Sequence, residues 1–209
     1  TNVMTLATSY TDTAGNAGPG ATTANYAIDT VRPTVASFTM SDTALISGET
    51  STVTLQFSEA VASFSSDDDI TVQNGSLPTM TSSDNITWTG TFTPSSDVED
   101  ATNVLTLATS YTDTAGNAPA STSTTANYEI DTIAPTMTIT SSTVSDGSTS
   151  NDPAITLIFT SSEATTDFTV SDITVTNGSM SNFASVSSTV YTVIFTPSSN
   201  GATTVDVAA

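Results

Sequence analysis

Apolar and polar residues alternate along much of this chain with a period of two rather than 3.6, the signature of half-buried strands. In "STVTLQFSE", Val53, Leu55 and Phe57 fall on one face and Thr52, Thr54 and Gln56 on the other, and Ile155, Leu157 and Phe159 repeat the pattern a hundred residues later. "ITWTGTFTP" does the same with Ile86, Trp88 and Phe92, matched by Tyr191, Val193 and Phe195. The opening segment after Pro33, "DITVQ", a short stretch near Thr79 to Ser82, "NVLTLATSY" and "TTANYEID" bring the expected total to seven strands per unit. Turn signals ("ISGE", "NGS", "SSDN", "TAGN") separate them at the spacing of an all-β sandwich. In the opening strand Ala36, Phe38 and Met40 alternate, whereas the later copy carries Met137 and Ile139 in the opposite parity, which predicts an edge strand with a bulge.

The pattern recurs because the sequence recurs. "TLATSYTDTAGNA" runs from Thr5 to Ala17 and again, unchanged, from Thr106 to Ala118. Tyr10 returns as Tyr111, Asp29 as Asp131, Phe57 as Phe159, and "FTPSS" at Phe92 as "FTPSS" at Phe195, so the unit is about one hundred residues, the size of one sandwich domain. The expected division is 1–32, the last strands of one unit; 33–132, a full unit; and 133–209, a unit without its last strand. The chain reads as a window on a tandem array.

Composition narrows the function. One basic residue, Arg32, stands against 21 Asp plus Glu, for a formal charge of −20. Nucleic acid and anionic membrane surfaces both need a basic footprint, and are excluded as partners. No apolar run approaches membrane-span length, so no membrane insertion is expected of this segment. Without Cys there are no disulfides, and without Lys no Lys–Asn isopeptide crosslinks. Without His there is no Ser-His-Asp triad, and zinc or copper would lack soft ligands.

"TVTLQFSEAV", "DDDITVQNGSL", "TFTPSS", "TDTAGN" and the linkers "IDTVRPT" and "IDTIAPT" together resemble the bacterial Ig-like repeats of giant extracellular adhesins of the biofilm-associated and RTX types. The resemblance implies tandem seven-stranded Ig-like sandwiches in an extended array, at a cell surface or in a secreted fibre, with neighbouring repeats of the same or an adjacent chain as partners. It also implies calcium at the junctions, setting rigidity. The adhesive target stays open.

Strand direction points to the same junctions independently. If seven strands alternate, three loops return to the end where the linker enters. They carry Glu59 with Asp67 to Asp69, then Asp84, then Asp113 with Asn117, and the linker adds Asp29. Carboxylates so gathered repel unless solvent or a cation lies between them, and calcium takes six to eight oxygens of this kind. The candidate ligands are Asp29, Glu59, Asp69, Asp113 and Asn117; Asp131, Glu163 and Asp172 hold the matching positions of the next unit, and Asp12 and Asn16 those of the previous one. The competing use of Asp and Asn in "TDTAGN" is to bond their own turn around Gly116. Asp67 and Asp68 are equally well read as a solvated loop. Trp88 and Tyr191 are expected in the core rather than stacking on sugar. Asn74, Asn85 and Asn177 open N-x-[ST] sequons. Paired carboxylates could imitate a glycosidase, but short polar loops offer no concave site, so no enzyme is expected. The reading that follows is a structural extender of an extracellular adhesin, the alternative being a glycan- or ice-binding module.

Overall fold

A computed structural model describes residues 2–207. The first ordered pairing is a short hairpin, β1 (Thr5–Leu6) against β2 (Ala21–Thr22), extended by single bridges at Asn2↔Tyr26 and Thr11↔Ala17. After Pro33 come β3 (Val35–Met40), β4 (Ala44–Ile46) and β5 (Ser51–Phe57), then a helical turn α1 (Ser66–Asp69) leading into β6 (Ile70–Thr71) and β7 (Gly75–Ser76). β8 (Thr87–Pro94), β9 (Glu99–Asn103), β10 (Thr106–Leu107), β11 (Ser123–Thr124) and β12 (Tyr128–Asp131) follow.

One sheet has the order β3-β5-β8-β7, and the opposing layer is split into β4-β12-β9 and β11-β10-β6. The alternation predicted for β5 holds: Val53, Leu55 and Phe57 are buried, and with Phe92 of β8 they share one core with Leu105, Leu107, Tyr111, Tyr128 and Ile130. Burial of side chains of this size, about 1.5–3 kcal/mol each, is the main term holding the layers together. Trp88 packs on this core, its ring edge-on to Phe64 at 4.9 Å, as expected of a packing residue.

Three details depart from the pattern. The segment near Thr79 to Ser82 makes only one bridge, Thr81↔Thr89, and Gly75–Ser76 takes the edge beside β8 instead. A Cβ on Gly75 would lie 2.3 Å from Phe92 Cζ, so glycine is what lets that strand lie over the ring. The run "NVLTLATSY" is not one strand: backbone donors at its start turn to side chains, Val104 N–H to Gln73 Oε1 and Leu105 N–H to Thr125 Oγ1, which separates β9 from β10. Third, β4 was not expected; it joins the sheet by pairing parallel to β12, Leu45 opposite Ile130, and brings the unit to ten short strands.

The opening strand is an edge strand whose register slips between Val35 and Ser37. Val35 therefore packs on the core before the bulge and Phe38 and Met40 after it, while Ala36, expected to face inward, is exposed. Its later counterpart pairs without a slip, which accounts for the opposite parity of Met137 and Ile139.

The chain divides into two compact units, Thr1–Ile133 and Ala134–Ala209. In the second, β13 (Met137–Ser141), β14 (Ile155–Ser161), β16 (Gly178–Ser185) and β17 (Val190–Pro197) form a sheet ordered β13-β14-β17-β16, while β15 (Ile173–Val175) pairs with β18 (Val205–Val207). Leu157, Phe159, Ile173, Tyr191, Val193 and Phe195 are its core.

Candidate metal centre

The loop "TDTAGN" is built locally. Asp113 Oδ1 accepts the Ala115 and Asn117 N–H groups, both at 2.8 Å, and Asp113 Oδ2 accepts Asn117 Nδ2–H, also at 2.8 Å. Gly116 sits at φ +95°, a conformation that side chains disfavour, and its N–H closes on Asp113 O at 3.3 Å. These donors hold the Asp113 carboxyl below the usual carboxylate range, the Asn117 amide contributing most. The copy at Asp12 makes the same three bonds, to Ala14, Asn16 N–H and Asn16 Nδ2, with the same downward shift. The turn use of the Asp–Asn pair is thus realised in both copies.

In the full unit the loop does more. Val61 bridges to Asp113, Ala62 N–H reaches Thr112 O at 2.9 Å, and Val61 N–H reaches Asn85 O at 3.0 Å, so the segment after β5 lies against two loops at once. On its other side, Ser58 N–H donates to Thr34 O and Thr34 N–H to Ser58 Oγ, fixing the incoming linker. Asn117 Nδ2 also donates to the backbone carbonyl of Asp29 at 3.2 Å. Carboxylate oxygens of Asp29, Glu59 and Asp113 consequently all lie within 4.8 Å of one another, from positions up to 84 residues apart in sequence. Asp113 is buried, Glu59 half-buried and Asp29 exposed. Glu59 responds: desolvation first, then the charges of Asp29 and Asp113, push its carboxyl above the ordinary glutamate value.

The other predicted ligands have different occupations. Asp69 is buried at the end of α1, where Oδ2 accepts Ser65 N–H at 2.8 Å and Oδ1 accepts the Ser110 hydroxyl, so it belongs to a helix cap and does not join the cluster. Asp84 Oδ1 accepts Ile86 N–H, Thr87 N–H and Ser82 Oγ–H and closes its own turn. In the second unit Asp172 Oδ2 caps a 3-10 turn by accepting Thr169 N–H at 2.7 Å. Glu163 is half-buried there, and Asp131, exposed at the end of β12 in the first unit, accepts Ile133 N–H at 3.2 Å. Asp12 and Asn16 are exposed on the hairpin.

A polar knot escaped sequence reading. Buried Asn103 donates to Asp100 O and Tyr128 O and accepts from Asn74 Nδ2, which also reaches Asp100 Oδ2. Its only local signal is the Asn-Gly turn, in which Asn74 itself takes the left-handed φ of +51°. The amides of sequons Asn74 and Asn177 are both spent on internal bonds, the latter to Ser199 O at 3.0 Å.

Layered, largely antiparallel sheets enclosing one core, as in the first unit, are the architecture of an immunoglobulin-like β-sandwich. Residues 29–130 and 131–209 each match the bacterial Ig-like domain family, and the chain belongs to it, in two tandem repeats. That family is a structural, non-enzymatic fold. No curated protein and no solved structure matches the chain. Among the described residues no helix is long and apolar enough to cross a membrane.

Proposed function

We propose that this chain is an extender segment of an extracellular adhesin or surface fibre, in which Ig-like repeats of the same or an adjacent chain are neighbours and calcium stiffens the entry to each repeat. The observation that carries this reading is the convergence of Asp29, from the linker, with Glu59 and Asp113, from two loops of the repeat it enters. The donor set fits calcium: it is all oxygen, it carries three negative charges, and Asn117 turns its Nδ2 to Asp113 and the linker, leaving its amide oxygen as a further acceptor. Bound there, the ion supplies charge neutralisation. The chain's own part is to hold the acids in place through the "TDTAGN" turn and the Ser58–Thr34 bonds, so that removing the ion leaves repulsion exactly where linker meets domain. Asp131 and Glu163 hold the corresponding sequence positions of the second repeat.

Calorimetric titration of the full chain with calcium tests this. Binding at millimolar concentration or tighter is expected, reduced at least tenfold in Asp113→Asn. Absence of binding at millimolar calcium refutes the metal. Binding unaffected by Asp113→Asn or Glu59→Gln refutes the site.

A further inference from the structure

Three Asn-Gly pairs occur in the chain, at Asn74, Asn177 and Asn200. In such a pair glycine has no side chain to keep its own nitrogen away from the asparagine amide carbon, so the two can react. Folding decides whether that approach is open.

At the first two it is closed. Asn74 and Asn177 both sit at φ +51°, and their backbone carbonyls accept Ser95 N–H at 2.9 Å and Ser198 N–H at 3.1 Å. Asn74 Nδ2 donates to Asp100 Oδ2 at 2.8 Å and to Asn103 Oδ1 at 2.7 Å. Asn177 Nδ2 donates to Ser199 O at 3.0 Å, and its Oδ1 accepts the hydroxyls of Ser198 and Ser199. The glycines that follow open β7 and β16, and each lies over a ring: an added Cβ would stand 2.3 Å from Phe92 at Gly75 and 2.3 Å from Phe195 at Gly178. Packing accounts for glycine there, and the side-chain bonds keep the amide carbon from turning to the glycine nitrogen.

Asn200 differs in each respect. It is exposed in the loop between β17 and β18, and among the described residues its amide has no hydrogen-bond partner. Gly201 follows at φ +148°, a conformation that favours glycine, and a Cβ there would meet nothing nearer than Asn177 Nδ2 at 3.4 Å. The matching loop of the first unit carries Asp97 at this place, also exposed although both sheet layers of that unit are present, so exposure is a property of the loop.

We propose that Asn200 is a site of spontaneous covalent change, deamidation to aspartate and isoaspartate with water as the only co-reactant. The Gly201 nitrogen forms a bond to Asn200 Cγ, the Cγ–Nδ2 bond breaks, and ammonia leaves with the Gly201 proton. Water then opens the cyclic imide. Cleavage between Cγ and the Gly201 nitrogen gives aspartate, the residue that the first unit has at 97; cleavage at the main-chain carbonyl of residue 200 gives isoaspartate, which adds a methylene to the backbone. Either product adds a negative charge to a loop that in the first unit holds the linker, where Thr132 Oγ1 donates to Ser95 O and Val98 N–H donates to Thr132 Oγ1.

The test incubates the full chain in mildly alkaline buffer, folded and in unfolding urea, and follows the mass gain of each Asn-Gly peptide by mass spectrometry. In the folded chain, deamidation at Asn200 is expected to run roughly tenfold or more ahead of Asn74 and Asn177, whose reaction waits on local opening. In urea the three rates are expected to converge. Asn200→Gln is expected to remove the fast phase. Comparable rates at the three sites of the folded chain overturn the proposal, as do a lead at Asn200 that persists unchanged in urea and a fast phase that survives Asn200→Gln.

Discussion

Leu6 and Leu107 occupy the same place in an unbroken thirteen-residue identity, so truncating each to alanine removes the same atoms from the same local sequence. Leu107 is 1% exposed inside the core formed with Phe57, Phe92 and Tyr128; Leu6 is 54% exposed. Removing a fully buried leucine side chain forfeits its transfer free energy and leaves a cavity that neighbours only partly fill, for a total of about 3 kcal/mol. At Leu6 most of the side chain never left water, and the cost falls below about 0.5 kcal/mol. Trp88, the sole tryptophan of the chain, packs on the affected core and makes fluorescence a specific readout of that unit. With a slope of about 2 kcal/mol per molar urea, Leu107→Ala is expected to lower the midpoint of the Trp88 transition by about 1.5 M, and Leu6→Ala to leave it in place. Equal shifts for the two variants, or none for Leu107→Ala, would refute the assignment of burial at these two positions.

Asn103→Ala should cost about 2–3 kcal/mol on the same transition, since it removes the three hydrogen bonds of a buried side chain, the one from Asn74 among them, while Asn2→Ala should be near neutral. Gly75→Ala forces a Cβ to 2.3 Å from Phe92 and 2.6 Å from the Thr93 carbonyl and is expected to destabilise by about 1–3 kcal/mol; Gly116→Ala meets no neighbour within 4 Å, and its cost of about 1 kcal/mol comes from φ alone. For pH, the sign follows from Glu59: its folded-state value is raised, so in chelator its charge lowers stability as pH climbs above the ordinary 4.5, and Glu59→Gln should raise the urea midpoint near neutrality with a gain that shrinks on acidification. Asp113 has the opposite sign, its stabilising contribution being lost as pH falls through its lowered value, so Asp113→Asn should bring the midpoint down near neutrality; a rise in that variant would contradict the turn geometry.

Much of this molecule was legible in one dimension because its causes are local. The period of two in "STVTLQFSE" required only a sheet with one buried face, and β5 buries the three residues it marked. The bonds of "TDTAGN" span two to four residues, so the same loop forms at Asp12 and Asp113 in different surroundings. Even the bulge in the opening strand left a trace, a parity that its repeat does not share. The meeting of Asp29, Glu59 and Asp113 followed from strand direction, but Asp69 and Asp172 did not join it, because a carboxylate at the end of a short helical turn finds backbone donors closer than any distant acid. Division of the run into β9 and β10 depends on side chains from elsewhere, Gln73 and Thr125, capturing backbone groups between them, which no periodicity records. The clearest separation lies between the two identical segments: sequence alone set their turn, their ladder and their internal hydrogen bonds, and tertiary structure alone decided that Leu107 is core and Leu6 is surface, because burial belongs to the partners a side chain meets and not to the residue itself.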